Sequence, residues 1–166
     1  MEYLLLQHPG HNRVYYNEAG KLALAELQLA SERLSVSCSD IKIIEIAGVR
    51  YLSLTTDKEI SKKDLAVLSR LSFLFALFQK SGGDDEVFLI PMQKDELQFI
   101  ENKISSILKY QGKTNELFTR MMVNVALLSS DFDYEDNISL LDPVAGKGTT
   151  LFEASIYGFN VYGIEL

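Results

Sequence analysis

The chain has 166 residues, an apolar fraction of 47% and a formal net charge of −7. This fits one ordinary globular domain or two small ones and excludes a basic, phosphate-neutralising surface spread over the whole chain. Cys38 is the single cysteine, so no internal disulfide can form and a reducing, cytoplasmic setting is expected.

From the N-terminus, Tyr3 to Gln7 reads as a strand and His8 to Asn12 as a loop. His8 and His11 have no cysteine or acidic cluster beside them, so no metal site is expected there. No basic region leads into a long apolar core, so no signal peptide is expected. Asn17 is placed to cap a helix to about Leu34, with Ala23, Leu27, Ala30 and Leu34 on one face. Ile41 to Ile46 and Val49 to Thr55 are β-branched strands joined at Ala47-Gly48, a hairpin signal. Ser61 with Asp64 forms a capping-box pattern, and Leu65, Leu68, Leu71, Phe75 and Phe78 predict a helix running to Ser81-Gly82-Gly83. Its densest apolar run, Leu71 to Phe78, is far too short to span a bilayer, and no membrane partner is expected. Val87 to Ile90 is a further strand closed by Pro91. The predicted order is β-α-β-β-α-β, a small ferredoxin-like α/β domain over residues 1–92 with four antiparallel strands.

Residues 93–130 read as a helical connector. One helix is predicted from Lys94 to Tyr110, with Leu97, Ile100, Ile104 and Ile107 in a stripe. Gln111-Gly112-Lys113 breaks it. Thr114 is then placed to cap a second helix to about Ser129, with Leu117, Met121, Val125 and Leu128 aligned. Asp131, Asp133, Glu135 and Asp136 form an acidic, solvated loop.

Residues 131–166 carry the most informative pattern. Ile138 to Leu141 suits a buried parallel strand, and Ala145-Gly146-Lys147-Gly148 is too small and flexible to extend it. Thr149 or Thr150 is placed to cap a helix containing Leu151, Phe152, Ala154 and Ile156. Gly158 ends that helix, and Val161 to Ile164 returns as a strand closing on Glu165. Such a turn admits ligand atoms against bare backbone, beside helix N–H donors. An acid at the tip of the second strand can accept hydrogen bonds from both ribose hydroxyls. A P-loop is excluded, because Lys147 is followed by Gly148 and no glycine opens the spacer. A dinucleotide fingerprint is weak, because Leu151 stands where its third glycine belongs.

The string Asp142-Pro143-x-x-Gly146-x-Gly148-Thr149-Thr150, followed by Glu153-Ala154 and Val161-Tyr162-Gly163-Ile164-Glu165, resembles the cofactor motif of class I S-adenosylmethionine (SAM)-dependent methyltransferases. It is most similar to their amino-methylating branch: tRNA guanine-N2 methyltransferases, THUMP-type RNA methylases, and N6-adenine or N4-cytosine DNA methylases. Lys147 departs from the pattern, which usually has a small residue between the glycines. The segments Lys21 to Leu27 and Leu68 to Leu71 look similar to the small N-terminal α/β domain of the tRNA enzymes, which helps present RNA.

The resemblance implies a Rossmann-like methyltransferase domain beginning at about residue 131, with SAM as cofactor. It implies cofactor contacts at Asp142, Pro143, Ala145, Gly146, Gly148, Thr149 and Thr150, with Asp142 near the methionyl amino group and Glu165 on the ribose hydroxyls. Thr114, with Lys113, could receive the methionine carboxylate at a helix N-terminus. The branch's catalytic loop is Asp or Asn followed by Pro-Pro and an aromatic residue. The chain has no Pro-Pro pair, so no catalytic residue is assigned, and the chain reads as an N-terminal fragment whose catalytic loop lies downstream. The implied function is methylation of an exocyclic amino group of a nucleic-acid base, in RNA (tRNA) rather than DNA. The alternatives are a DNA N6-adenine or N4-cytosine methylase, or a non-catalytic module that presents RNA or binds protein. SAM binding by the fragment is expected to be weak or undetectable. Also expected is either disorder after about Asp131 or self-association, because strands of this kind are normally paired at both edges.

Overall fold

A computed structural model describes residues 1–9, 13–83, 86–94 and 114–165 of the chain. The chain divides into two compact units, Met1–Asp95 and Glu96–Leu166. The helix expected from Lys94 to Tyr110 falls on residues 95–110, outside the described ones, as do Gln111, Gly112 and Lys113.

The first unit is mixed α/β. Its elements are β1 (Glu2–Gln7), α1 (Arg13–Ser31), β2 (Cys38–Ile46), β3 (Val49–Thr56), α2 (Lys62–Ser69), β4 (Leu74–Gly82) and β5 (Val87–Met92). The five strands form one antiparallel sheet in the order β2-β3-β1-β4-β5. The β2–β3 hairpin turns at Ala47-Gly48 as expected, with Ile46 opposite Val49 and both turn residues at positive φ, the geometry that matches strand twist. Register places Tyr3 and Leu5 beside Leu54, Leu52 and Leu77, and all five are buried. Ala23, Leu27 and Ala30 form the buried apolar stripe of α1, at the spacing expected.

Three expectations need correction here. The expected sheet has four strands, and five are present. α1 begins at Arg13, so Asn17 lies inside the helix and does not cap it. The helix expected to reach Ser81 ends at Ser69, and the apolar run beyond it is the strand β4. The physical reason lies in two contacts distant in sequence. Buried Glu26 of α1 accepts hydrogen bonds from the Ser72 N–H (3.0 Å) and the Ser72 hydroxyl, which holds a turn where a helix would continue. Leu77 and Phe78 then pair with Leu5 and Leu4 of the central strand.

The capping box of α2 is present. Asp64 Nα donates to Ser61 Oγ, and the Asp64 carboxylate accepts from the Ser61 N–H at 2.8 Å. The same buried carboxylate accepts from Ser35 N–H (2.6 Å) and Ser35 Oγ (2.8 Å), tying the α1–β2 connection to the start of α2. Desolvation pushes the Asp64 carboxyl up, and the hydrogen bonds from Ser35 and Ser61 outweigh it and hold the group below its ordinary value. A depressed carboxyl stabilises the fold above its unfolded-state pKa, about 3.9, and loses that contribution as pH falls through the folded value. Asp64→Asn is therefore expected to lower stability at pH 7 by about 2 kcal/mol. The gap to wild type should close below about pH 4 in urea unfolding curves. A pH-independent gap would contradict this account.

The second unit contains α3 (Glu116–Leu128), β6 (Ser139–Asp142), α4 (Thr149–Ile156) and β7 (Asn160–Gly163), with β6 and β7 parallel. Its core is Val123 and Leu127 of α3 with Ala154, Tyr157 and Phe159, flanked by Tyr134, Ile138, Leu140 and Val161. The buried face of α3 is Thr119, Val123, Asn124, Leu127 and Leu128; of the stripe expected there, only Leu128 is on it. Among the described residues, no helix is long and apolar enough to cross a membrane.

Candidate functional site

β6, α4 and β7 make a parallel crossover whose turn leaves β6 at its C-terminal end. Asp142 starts it: its Oδ1 accepts from the Val144 N–H at 3.0 Å, an Asx turn that bends the chain out of the strand. The β6–β7 ladder continues past the strands, with Ile164 N–H donating to Asp142 O and Ala145 N–H to Ile164 O, both at 2.9 Å. That extension carries Glu165 to the turn, where its Oε2 accepts from the Gly146 N–H at 2.6 Å. Gly148 N–H donates to Ala145 O at 2.7 Å and closes the loop.

Gly148 is the N-cap of α4. It stands at φ +80°, with no side chain capping the helix. Thr149 and Thr150, expected as caps, are the first two helical residues. The left-handed backbone that the loop imposes at the cap excludes a β-branched residue. The helix then ends as expected at Gly158: Gly158 N–H bonds Ser155 O and Phe159 N–H bonds Ala154 O, the Schellman pattern.

Gly146, at φ +52°, has open space where a side chain would stand, whereas a Cβ on Gly163 would come within 2.7 Å of Leu151 Cδ1 and 2.8 Å of Ala145 Cβ. The two glycines therefore do different things. Gly146 presents bare backbone outward, and Gly163 lets β7 pass directly beneath the turn and the first turn of α4.

The structure thus brings Asp142, Ala145, Gly146, Gly148 and Glu165 together at one end of the small parallel sheet. Pro143 is exposed in the same turn, and Thr149 and Thr150 are half-buried behind it. Thr114 is exposed, two residues before α3, and Asn115 rather than Thr114 is the N-cap, accepting from Phe118 N–H at 3.0 Å. Both residue types can cap; the backbone geometry selected the second.

Two further residues went unassigned in the sequence reading. Glu153, in the second turn of α4, has 0% exposure, and its Oε2 accepts from Arg120 Nε at 3.0 Å and Arg120 Nη2 at 2.8 Å. The Arg120 guanidinium also lies 6.0 Å from the Tyr157 ring centre. The available signal was a carboxylate amid Leu151, Phe152, Ala154 and Ile156, a position that burial makes costly unless paired.

Chemically, the end of β6 fixes the Glu165 carboxylate at the turn, because the Gly146 N–H already donates to its Oε2. It also offers two carboxylates, Asp142 and Glu165, able to accept from hydroxyl or ammonium groups. This donor set fits a zwitterionic or polyhydroxylated ligand better than a polyphosphate, which would meet both acids. The chain matches no protein-family model, no curated protein and no solved structure.

Proposed function

We propose that this chain carries the cofactor-binding β-α-β of a SAM-dependent methyltransferase that acts on an exocyclic amino group of a nucleic-acid base, in RNA of the tRNA guanine-N2 kind. The observation that carries the reading is the glycine turn between parallel β6 and α4, with Glu165 hydrogen-bonded across it to Gly146. SAM, when bound, would supply an electrophilic methyl group on its sulfonium. The chain's own residues would bind and orient it. Gly146 gives close approach, Asp142 accepts from the methionyl ammonium, Glu165 accepts from the ribose hydroxyls, and Thr114 stands at the start of α3. Lys147 is exposed, so the departure from the family pattern does not crowd the turn.

The strand order β2-β3-β1-β4 within the first unit supports a ferredoxin-like domain with β5 added at the edge, and such a domain ahead of the methylase suits RNA presentation. The net charge of −7 favours a second reading, a non-catalytic protein-interaction module. Filter binding of tRNA separates the two. RNA presentation predicts binding that weakens steeply with salt, and no binding at low salt supports the second reading.

The cofactor reading is tested by titrating the chain with S-adenosylhomocysteine (SAH) while following backbone amide resonances. Gly146, Gly148 and Thr149 are expected to shift together. Glu165→Ala is expected to weaken binding by about tenfold or more, the worth of a hydrogen bond to a charged group. No shift in the turn at millimolar ligand, or shifts that ignore Glu165→Ala, would overturn it.

A further inference from the structure

We propose that the Arg120–Glu153 ion pair is a positioning pair for the glycine turn: it sets the start of α3 in register with the start of α4. For its effect on ligand, the proposal rests on the cofactor reading above. The pair is buried, Glu153 at 0% exposure and Arg120 at 14% on its side chain. Both guanidinium contacts fall on Oε2, and Glu153 Oε1 has no hydrogen-bond partner among the described residues.

As a source of stability this arrangement is poor. Two charges leave water, and one carboxylate oxygen gets no hydrogen bond in return. Apolar side chains of similar volume would pack at least as well among Val123, Ala154 and Tyr157. What an apolar pair lacks is direction. Two guanidinium nitrogens converging on one carboxylate oxygen restrict the relative setting of the two helices more than apolar contact does.

That setting matters because of where the pair sits. Arg120 and Glu153 each lie in the second turn of their helix. Further along, Val123 and Leu127 of α3 share a core with Tyr157 and Phe159, which follow α4. The ion pair thus ties the start of α3 to the start of α4, each about one helical turn away. It therefore governs how the first turn of α3 stands relative to Gly146 and Gly148.

The test replaces the pair by a double variant, Arg120→Met with Glu153→Met, in the full chain. It reads global stability, amide hydrogen exchange at Ala145 and Gly148, and SAH affinity. The expected result is wild-type or higher global stability, with exchange at the two turn amides faster by about tenfold and SAH affinity lower by about tenfold. Arg120→Lys keeps the charge but loses the fork. It should fold, and it should shift both local readouts in the same direction by less; this variant carries the test if the double variant does not fold. Unchanged exchange at Ala145 and Gly148 in a folded variant would overturn the proposal and assign the pair to packing alone. Accelerated exchange with no SAH binding even by the wild-type chain would leave the positioning of the turn standing and remove the cofactor reading instead.

Discussion

Arg120→Ala is expected to destabilise the second unit by about 3–5 kcal/mol, because it strands the Glu153 carboxylate without its partner in a buried site. Glu153 is fully buried beside Ala154 and Ile156, so water cannot solvate the abandoned charge without opening the α3–α4 contact. A unit of this size has a total stability on the order of 4–10 kcal/mol, so the loss is a large share of it. Removing Arg120 also takes away the cation over the Tyr157 ring, worth about 0.5–1 kcal/mol more. The measurement is native-state hydrogen exchange at α4 and β7, which reports this unit separately from the first. A loss below about 1 kcal/mol, the range of a solvent-exposed ion pair, would mean that Glu153 finds water or another donor. The Arg120→Met, Glu153→Met double variant should recover the whole loss, since it removes both charges together.

Gly163→Val is the second large effect expected. The new Cβ would sit 2.7 Å from Leu151 Cδ1 and 2.8 Å from Ala145 Cβ. Leu151 can rotate away, but Ala145 Cβ is fixed to the backbone of the turn. Either the turn lifts, breaking the Ala145 N–H to Ile164 O bond and the Gly146–Glu165 contact, or β7 slides out of register with β6. Overpacking of this kind costs about 1–3 kcal/mol, and SAH-induced shifts in the turn should vanish. Gly146→Ala is the comparison. It meets no atom within 4 Å but stands at φ +52°, so it should cost about 1 kcal/mol of backbone strain. A Gly163→Val chain whose Ala145 and Gly146 amides exchange as slowly as wild type would show that the turn is not braced by β7.

What the sequence by itself determined is everything that short-range chemistry decides. Ser61 and Asp64 meet because they lie three residues apart at a helix start. Ala47-Gly48 turns because two residues between β-branched runs have few other options, and Gly158 ends α4 because a left-handed residue must stand there. The spacing of Gly146 and Gly148 between two apolar runs, with Glu165 at the end of the second, marked the parallel crossover for the same reason. The tertiary structure decided what depends on partners distant in the chain. Leu74 to Gly82 carries an apolar pattern compatible with either period, and it became a strand because β1 pairs with it and Glu26 holds Ser72 in a turn before it. Gly148 took the cap from Thr149 because the loop closes through its left-handed backbone. The need for glycine at position 163, and for a carboxylate at position 153, is set by atoms of Ala145, Leu151 and Arg120. Local pattern cannot locate those atoms, because their distances exist only once the helices and strands have packed.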